Sequence, residues 1–272
     1  KDNNQKIDSV IHFAGLKAVN ESVINPLLYW DFNIGGTINL LKVMKKYLCK
    51  DLIFSSSATI YDNSYKNLID ENCPIRPTNP YGKTKANIES LLKDIFKSEM
   101  GEWRIINLRY FNPIGAHKSG NLGECPNGLP NNIFPLILKV ASKKLKVLNV
   151  YGDDWNTRDG TCIRDYVHIL DLAEGHVEAL KYLKNNDSQF LNLNIGTGVG
   201  TTVLELINTF MKVNNIELPF VYSSRREGDK ECVVADNTKI LNTLDWKPKR
   251  DLEDMCIDGW KWQTLNPDGY VD

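Results

Sequence analysis

A serine run, Ser55-Ser56-Ser57-Ala58-Thr59, is followed downstream by Tyr81-Gly82-Lys83-Thr84-Lys85. Tyr81 and Lys85 are four positions apart, so on a helix they lie on one face. A phenol with a pKa of about 10 is a poor base at neutral pH, and a neighbouring ammonium favours the phenolate. Ser57, arriving from a strand end, would share the travelling proton by hydrogen bonding to the same substrate oxygen. Together these groups can take a proton from a hydroxyl and return it. A Tyr-Lys spacing alone is also what an ordinary exposed helix offers in a chain with 11 tyrosines. What favours chemistry is the serine run at the carboxyl end of a strand, where open α/β sheets bind ligands.

The surrounding elements must deliver these groups. Residues 8–14 read as a buried strand ending in Gly15, and residues 51–55 as the next strand. Asn25-Pro26 and Asn79-Pro80 each pair an N-cap with proline at the first helical position. They open helices expected to reach about Leu48 and about Ser98. Residues 103–110 form another strand. After Asn112 glycines, prolines and asparagines crowd residues 113–132. A short strand and helix over 166–183 and a strand over 190–195 return to the earlier pattern, and Thr202 with Glu205 spells a capping box.

Strands alternating with helices predict an α/β fold, a Rossmann-like doubly wound parallel sheet with a smaller C-terminal substrate-binding lobe. Residues 1–112 would form the cofactor-binding part, to which 165–195 return, and 113–272 mainly the substrate lobe. Gly196-Thr197-Gly198-Val199-Gly200 reads as a tight turn into the capped helix.

Composition removes other classes. The chain has 272 residues and is 42% hydrophobic, enough for one large α/β domain or two unequal ones. Its 33 basic and 34 acidic side chains leave a net charge of -1, without the basic excess a nucleic-acid partner requires. No window approaches the roughly 18 apolar residues of a membrane helix. The six cysteines contain no Cys-x-x-Cys pair, so neither zinc nor a redox couple is expected. They read as reduced thiols of a cytoplasmic protein. The first six residues show no leader followed by an apolar stretch. His12, His117, His168 and His176 lack a metal-ligand spacing and are expected to be structural.

Ser57, Tyr81 and Lys85 match the catalytic triad of the extended short-chain dehydrogenase/reductase family, and the text around them resembles its UDP-galactose 4-epimerase branch. His12-Phe13-Ala14-Gly15-Leu16-Lys17-Ala18-Val19 is similar to the loop beside the nicotinamide. Arg109-Tyr110-Phe111-Asn112-Pro113-Ile114-Gly115-Ala116-His117 is similar to the segment joining cofactor and sugar. Pro130-Asn131-Asn132, Arg164-Asp165-Tyr166 and Arg225-Arg226-Glu227-Gly228-Asp229 resemble the UDP-binding pieces. The likeness runs from about Ile7 to the closing Gly269-Tyr270-Val271-Asp272.

This resemblance implies NAD as cofactor, held by Phe13, Ala14, Gly15, Lys17, Asn33, Ser55, Tyr81, Lys85 and Phe111. It implies a UDP-hexose substrate against Ser57, Thr59, Tyr81, Asn112, Asn132, Ile133, Asn149, Tyr151, Arg164, Arg226, Asp229 and Val233, with no metal. Guanidinium forks suit diphosphate oxygens. Val233 lies seven residues after Arg226, where the family uses a bulky tyrosine to restrict itself to plain hexoses. A small residue there implies room for an N-acetyl group. A homodimer through the helices starting at Pro26 and Pro80 is also implied.

Two further expectations come from comparison with the family pattern. The family's glycine-rich turn, which holds the NAD pyrophosphate at a helix N-terminus, does not precede Asp8. Roughly 65 residues of that kind are therefore expected upstream, and without them weak or no NAD binding and an exposed sheet edge. The 4,6-dehydratases of the family carry Thr-Asp-Glu after the serine strand, where this chain has Ala58-Thr59-Ile60-Tyr61. A UDP-pentose 4-epimerase, or a non-catalytic binding protein retaining the triad, stays open as an alternative.

Overall fold

The computed structural model describes residues 6–62, 68–126, 128, 130–226 and 228–270; Glu227, Val271 and Asp272, which belong to two of the motifs above, lie outside them. Strand β1 (Ser9–His12) leads through α1 (Val19–Ile24), α2 (Pro26–Tyr29) and a π turn at Trp30–Gly35 into α3 (Gly36–Lys46). Strand β2 (Asp51–Ser57) ends in a single 3-10 turn, Ala58–Ile60, and α4 (Pro80–Ser98) precedes β3 (Arg104–Tyr110) and β4 (Asn112–Ile114). Then come α5 (Ile133–Ala141), β5 (Leu148–Tyr151), β6 (Ile163–His168), α6 (Ile169–Asn185) and β7 (Gln189–Ile195). Strand β8 (Gly200–Thr202), α7 (Val203–Asn214), β9 (Phe220–Ser223), β10 (Cys232–Val233), α8 (Thr238–Thr243) and α9 (Leu252–Leu265) complete the chain.

The main sheet has the order β1-β2-β3-β7, and every pair in it is parallel. All seven residues of β2 are buried, as a strand covered on both faces requires. Leu52 and Phe54 pack with Leu41, Met44, Ile88 and Leu92 of α3 and α4. Ile53 turns the other way, to Leu172, Ala179 and Leu183 of α6. Each such side chain contributes about 1.5–3 kcal/mol by leaving water, so the two helical layers hold β2 in one register. A one-residue slip would carry the serine run to the wrong side.

A second sheet, β10-β6-β4 with β8 antiparallel to β6, carries the C-terminal lobe. Its core gathers Phe134, Ile137, Val150, Tyr166, Ile207, Phe210 and Cys256. Within the segment expected to return to the cofactor side, α6 and β7 join the main sheet, whereas β6 belongs to this second sheet.

Local signals fared unevenly. Asn79 caps α4 through Oδ1, which accepts from Gly82 N at 2.8 Å. Asn25 makes no side-chain cap bond; its backbone N–H instead closes α1 on Glu21 O, and α2 spans only four residues before the π turn. The first expected helix runs on from Pro26 to Lys46, with one widened turn at Trp30–Gly35 that its periodicity does not reveal. Gly196 to Gly200 is a turn because Asp165 consumes its donors: the carboxylate accepts from Thr197 N (2.8 Å), Thr197 Oγ1 (2.7 Å) and Gly198 N (2.9 Å). The Thr202–Glu205 capping box then starts α7.

Candidate active site

The parallel strands β2 and β3 end side by side, with Ser57 in register with Tyr110. Ser57 Oγ accepts from Thr59 N at 3.2 Å and Thr59 Oγ1 at 3.0 Å. With both acceptor positions engaged, the Ser57 proton is what remains to donate. It faces the phenol of Tyr81, which is buried on the first turn of α4.

One turn further, Lys85 Nζ donates to Ser55 O at 2.6 Å and sits 4.8 Å from the Phe54 ring centroid and 5.9 Å from that of Tyr81. Burial lowers the Lys85 pKa to about 8, opposed by the charge of Glu89. Burial also holds Tyr81 above the ordinary phenol range, and the Ser57 hydroxyl is what draws it down. The sequence reading has Lys85 favouring the phenolate; in the folded chain the larger influence on Tyr81 is burial, which acts in the opposite direction because it strips hydration from the charged form.

Asn33, in the π turn, joins the loop after β1 to α4. Its Oδ1 accepts from Leu16 N (2.8 Å), while Nδ2 donates to Leu16 O (3.1 Å) and Thr84 Oγ1 (3.0 Å). The amide is thus spent on protein groups, and Asn33 acts on a ligand only through the loop it anchors. Phe13, Ala14, Gly15 and Lys17 are exposed on that loop. The Phe13 ring lies 4.7 Å from His176, and Lys17 pairs with Glu124 at 2.7 Å. Beneath them Tyr110 OH meets His176 Nε2 at 2.5 Å, and His176 Nδ1 meets Leu172 O at 2.8 Å. His12 bonds Thr37 Oγ1 at 3.0 Å, with its pKa lowered to about 4 by burial and by Lys85. Phe111 is buried with Ala58, Ile60, Tyr61 and Ala235 under the Ser57 turn.

A cationic group lies on the second lobe. Arg226 Nε bonds Asp229 Oδ2 at 2.9 Å, and its guanidinium stacks 4.8 Å over the Tyr151 ring. Arg164 Nη1 donates to Ile163 O and Lys230 O, both at 2.8 Å, and Val233 pairs with Arg164 across β10 and β6. Asn149 is exposed on β5, and Ile133 opens α5. Asn132 sits at the N-cap of α5 without a side-chain cap bond, and Asn112 opens β4 half-buried.

Three residues to which the sequence reading gives no role matter to this geometry. Gly82 permits the close approach of α4 to the Ser57 turn: a Cβ there would lie 2.8 Å from Thr59 O. A glycine inside a helical pattern was the visible signal. Tyr110 stands beside Ser57. Lys230, whose pKa burial and Arg164 lower to about 8, reaches Tyr61 O and Asp62 O at 3.4 Å and bridges the two groups. No local pattern marks Lys230.

A family model described as GDP-mannose 4,6 dehydratase matches residues 3–258. The chain is 50% identical over 265 residues to UDP-glucose 4-epimerase 2 of Arabidopsis thaliana, covering 97% of this chain and 75% of that protein. It is similar in structure to the UDP-glucose 4-epimerase from Bifidobacterium longum in complex with NAD+ and UDP, with a TM-score of 0.92, 46% identity, and coverage of 99% of this chain and 79% of that one. A second likeness is to UDP-glucose-4-epimerase from Stenotrophomonas maltophila with bound NAD and formylated UDP-arabinopyranose. Its TM-score is 0.93 at 44% identity, covering 96% of this chain and 77% of that one.

Proposed function

The chain belongs to the family of that dehydratase model and, within it, to the UDP-glucose 4-epimerases; from this premise we propose that it interconverts UDP-glucose and UDP-galactose with NAD as cofactor. The observation that carries the reading is a buried tyrosine facing a serine hydroxyl whose proton is free to donate, with a lysine one turn away. The second lobe supplies the arginines Arg164 and Arg226.

The residues present fit the cofactor. Lys85 spends one of its three donors on Ser55 O, leaving two for ribose hydroxyls. The loop carrying Phe13, Ala14, Gly15 and Lys17 is exposed at the carboxyl end of β1, where such sheets bind dinucleotides. Ser55, Tyr81, Lys85 and Phe111 border the same region. When bound, NAD supplies the acceptor and later the donor of a hydride at sugar carbon 4. Tyr81 takes the proton of the 4-hydroxyl, and Ser57 donates to the same oxygen as it becomes a ketone. Lys85 stabilises the charge that Tyr81 carries. Once the 4-keto sugar has turned over, the hydride would return to the other face of carbon 4 and Tyr81 returns the proton to the 4-oxygen. Such turning requires a firm hold on the diphosphate and a loose one on the sugar. Arg164, Arg226, Asn112 and Asn132 are assigned to the diphosphate, and Ile133, Asn149 and Tyr151 to the uridine. Thr59 stands at the sugar end, and Asp229 orients Arg226.

Val233 leaves space for an N-acetyl group, so turnover of UDP-N-acetylglucosamine is part of the proposal. A homodimer through the helices starting at Pro26 and Pro80 would cover Ile24, Leu27 and Phe32, which are 76%, 83% and 58% exposed. Among the described residues no helix is long and apolar enough to cross a membrane. Six free cysteines suit a reducing cytoplasm.

The test is to supply UDP-galactose and NAD to the purified chain and measure UDP-glucose formed, with bound nicotinamide read by fluorescence. Nicotinamide binding without interconversion would sink the reading.

A further inference from the structure

The turn that carries Ser57 and Thr59 is gripped at both ends by one buried ion pair. At its start, Ser56 Oγ donates to Glu89 Oε1 at 2.5 Å. The same carboxylate accepts both Arg109 Nε (3.0 Å, to Oε1) and Nη2 (2.7 Å, to Oε2). At the far end, Arg109 Nη1 donates to the Tyr61 hydroxyl at 2.9 Å and to Glu71 O at 3.0 Å. The Tyr61 hydroxyl in turn donates to Asn194 Oδ1 at 2.6 Å, and Asn194 Nδ2 donates to Ile69 O at 2.7 Å. Ser56, Arg109 and Tyr61 are at most 1% exposed and Glu89 5%.

The placement of this network relates to the reacting groups on every side. Tyr81, Lys85 and Glu89 follow one another at four-residue steps, so Glu89 lies on the stripe of α4 that presents the other two. Ser56 immediately precedes Ser57, and Tyr61 immediately follows the 3-10 turn Ala58–Ile60. One guanidinium therefore ties β3, the start and end of the Ser57 turn, and the catalytic helix into a single unit. A buried ion pair is weak evidence for stability, since apolar residues of similar volume often serve as well. Orientation is what a forked, fully satisfied network supplies and a greasy one does not.

We infer that Ser56, Glu89, Arg109 and Tyr61 are positioning residues that hold the Ser57 hydroxyl against Tyr81. The inference rests on the epimerase reading for its consequence in turnover. Glu89 adds a second influence, because its charge keeps Lys85 from falling further under burial.

The test uses the full chain with Tyr61→Phe, Ser56→Ala and Ser56→Thr, which delete or retain single hydroxyls while leaving the ion pair whole. Hydrogen exchange over residues 57–62 is read beside kcat and KM. Tyr61→Phe and Ser56→Ala are expected to speed exchange in that turn alone and to lower kcat about tenfold with KM within about twofold, the signature of misplaced groups. Ser56→Thr restores the donor and most of kcat. Exchange unchanged in both deletions, or a lowered melting temperature with kcat intact, overturns the inference. A wild-type chain that binds NAD without interconverting the hexoses sinks the epimerase reading instead, and the exchange measurement still decides whether the grip exists.

Discussion

Gly82 lies against Thr59: a Cβ built on the glycine would stand 2.8 Å from the Thr59 carbonyl oxygen and 3.0 Å from Pro77 Cβ. Alanine would favour the helix by about 1 kcal/mol, yet at 2.8 Å the backbone of the Ser57 turn must move away. The two effects act on different observables. Gly82→Ala is expected to leave the melting temperature within a few degrees and to lower kcat about tenfold, since Ser57 and Tyr81 are drawn apart. An unchanged kcat would show that the contact does not set the geometry.

Lys85 fixes a pH limit. Its pKa of about 8, set by burial against Glu89, means the ammonium is present below pH 8 and lost above it. At pH 9 about a tenth remains charged, so kcat should fall about tenfold per pH unit there. Stability runs the other way. The unfolded lysine keeps its proton to the model value of 10.5, so between these two values the unfolded chain binds more protons and the Lys85 contribution to stability rises with pH. Turnover that declines above pH 8 while the chain stays folded is the expected pair of curves; flat turnover through pH 9 refutes it.

Asn33→Ala removes the anchor of the loop after β1. It leaves Leu16 N and Leu16 O without their side-chain partner and releases Thr84. A loss of about 1–3 kcal/mol in stability is expected from the unmet groups. NAD affinity should drop about tenfold as the loop loses its fixed shape. Calorimetric titration with NAD decides the second point: wild-type affinity in the variant would mean the loop holds without Asn33.

Val233→Tyr places a bulky ring on β10 opposite Arg164 of β6. The variant should lose turnover of UDP-N-acetylglucosamine by at least about a hundredfold while UDP-galactose turnover stays within a few-fold, because a clash acts on the larger sugar alone. Equal losses on both sugars would place the N-acetyl group elsewhere.

Legibility in the sequence tracked the range of the physics. The cap at Asn79, the capping box at Thr202 and Glu205, and the strands ending at Tyr110 and Ile195 are local or periodic features, and all were readable. The π turn around Asn33 was not, because helical periodicity carries no mark of one widened turn. The need for glycine at position 82 was not readable either, because it comes from Thr59, a residue of another element, lying against it.

The sequence by itself determined which groups are available: a serine run for a strand end, Tyr81 and Lys85 on one helical face, and arginines suited to a diphosphate. It did so because side-chain chemistry and spacing within one element need no partner to be read. Only the tertiary structure decided that burial holds Tyr81 above the ordinary phenol range, that the Asn33 amide is spent on Leu16 and Thr84, and that Glu89 and Arg109 grip the Ser57 turn. Each of these depends on desolvation or on contacts between residues far apart in the chain, and those exist only once the sheet and its helical layers have closed around them.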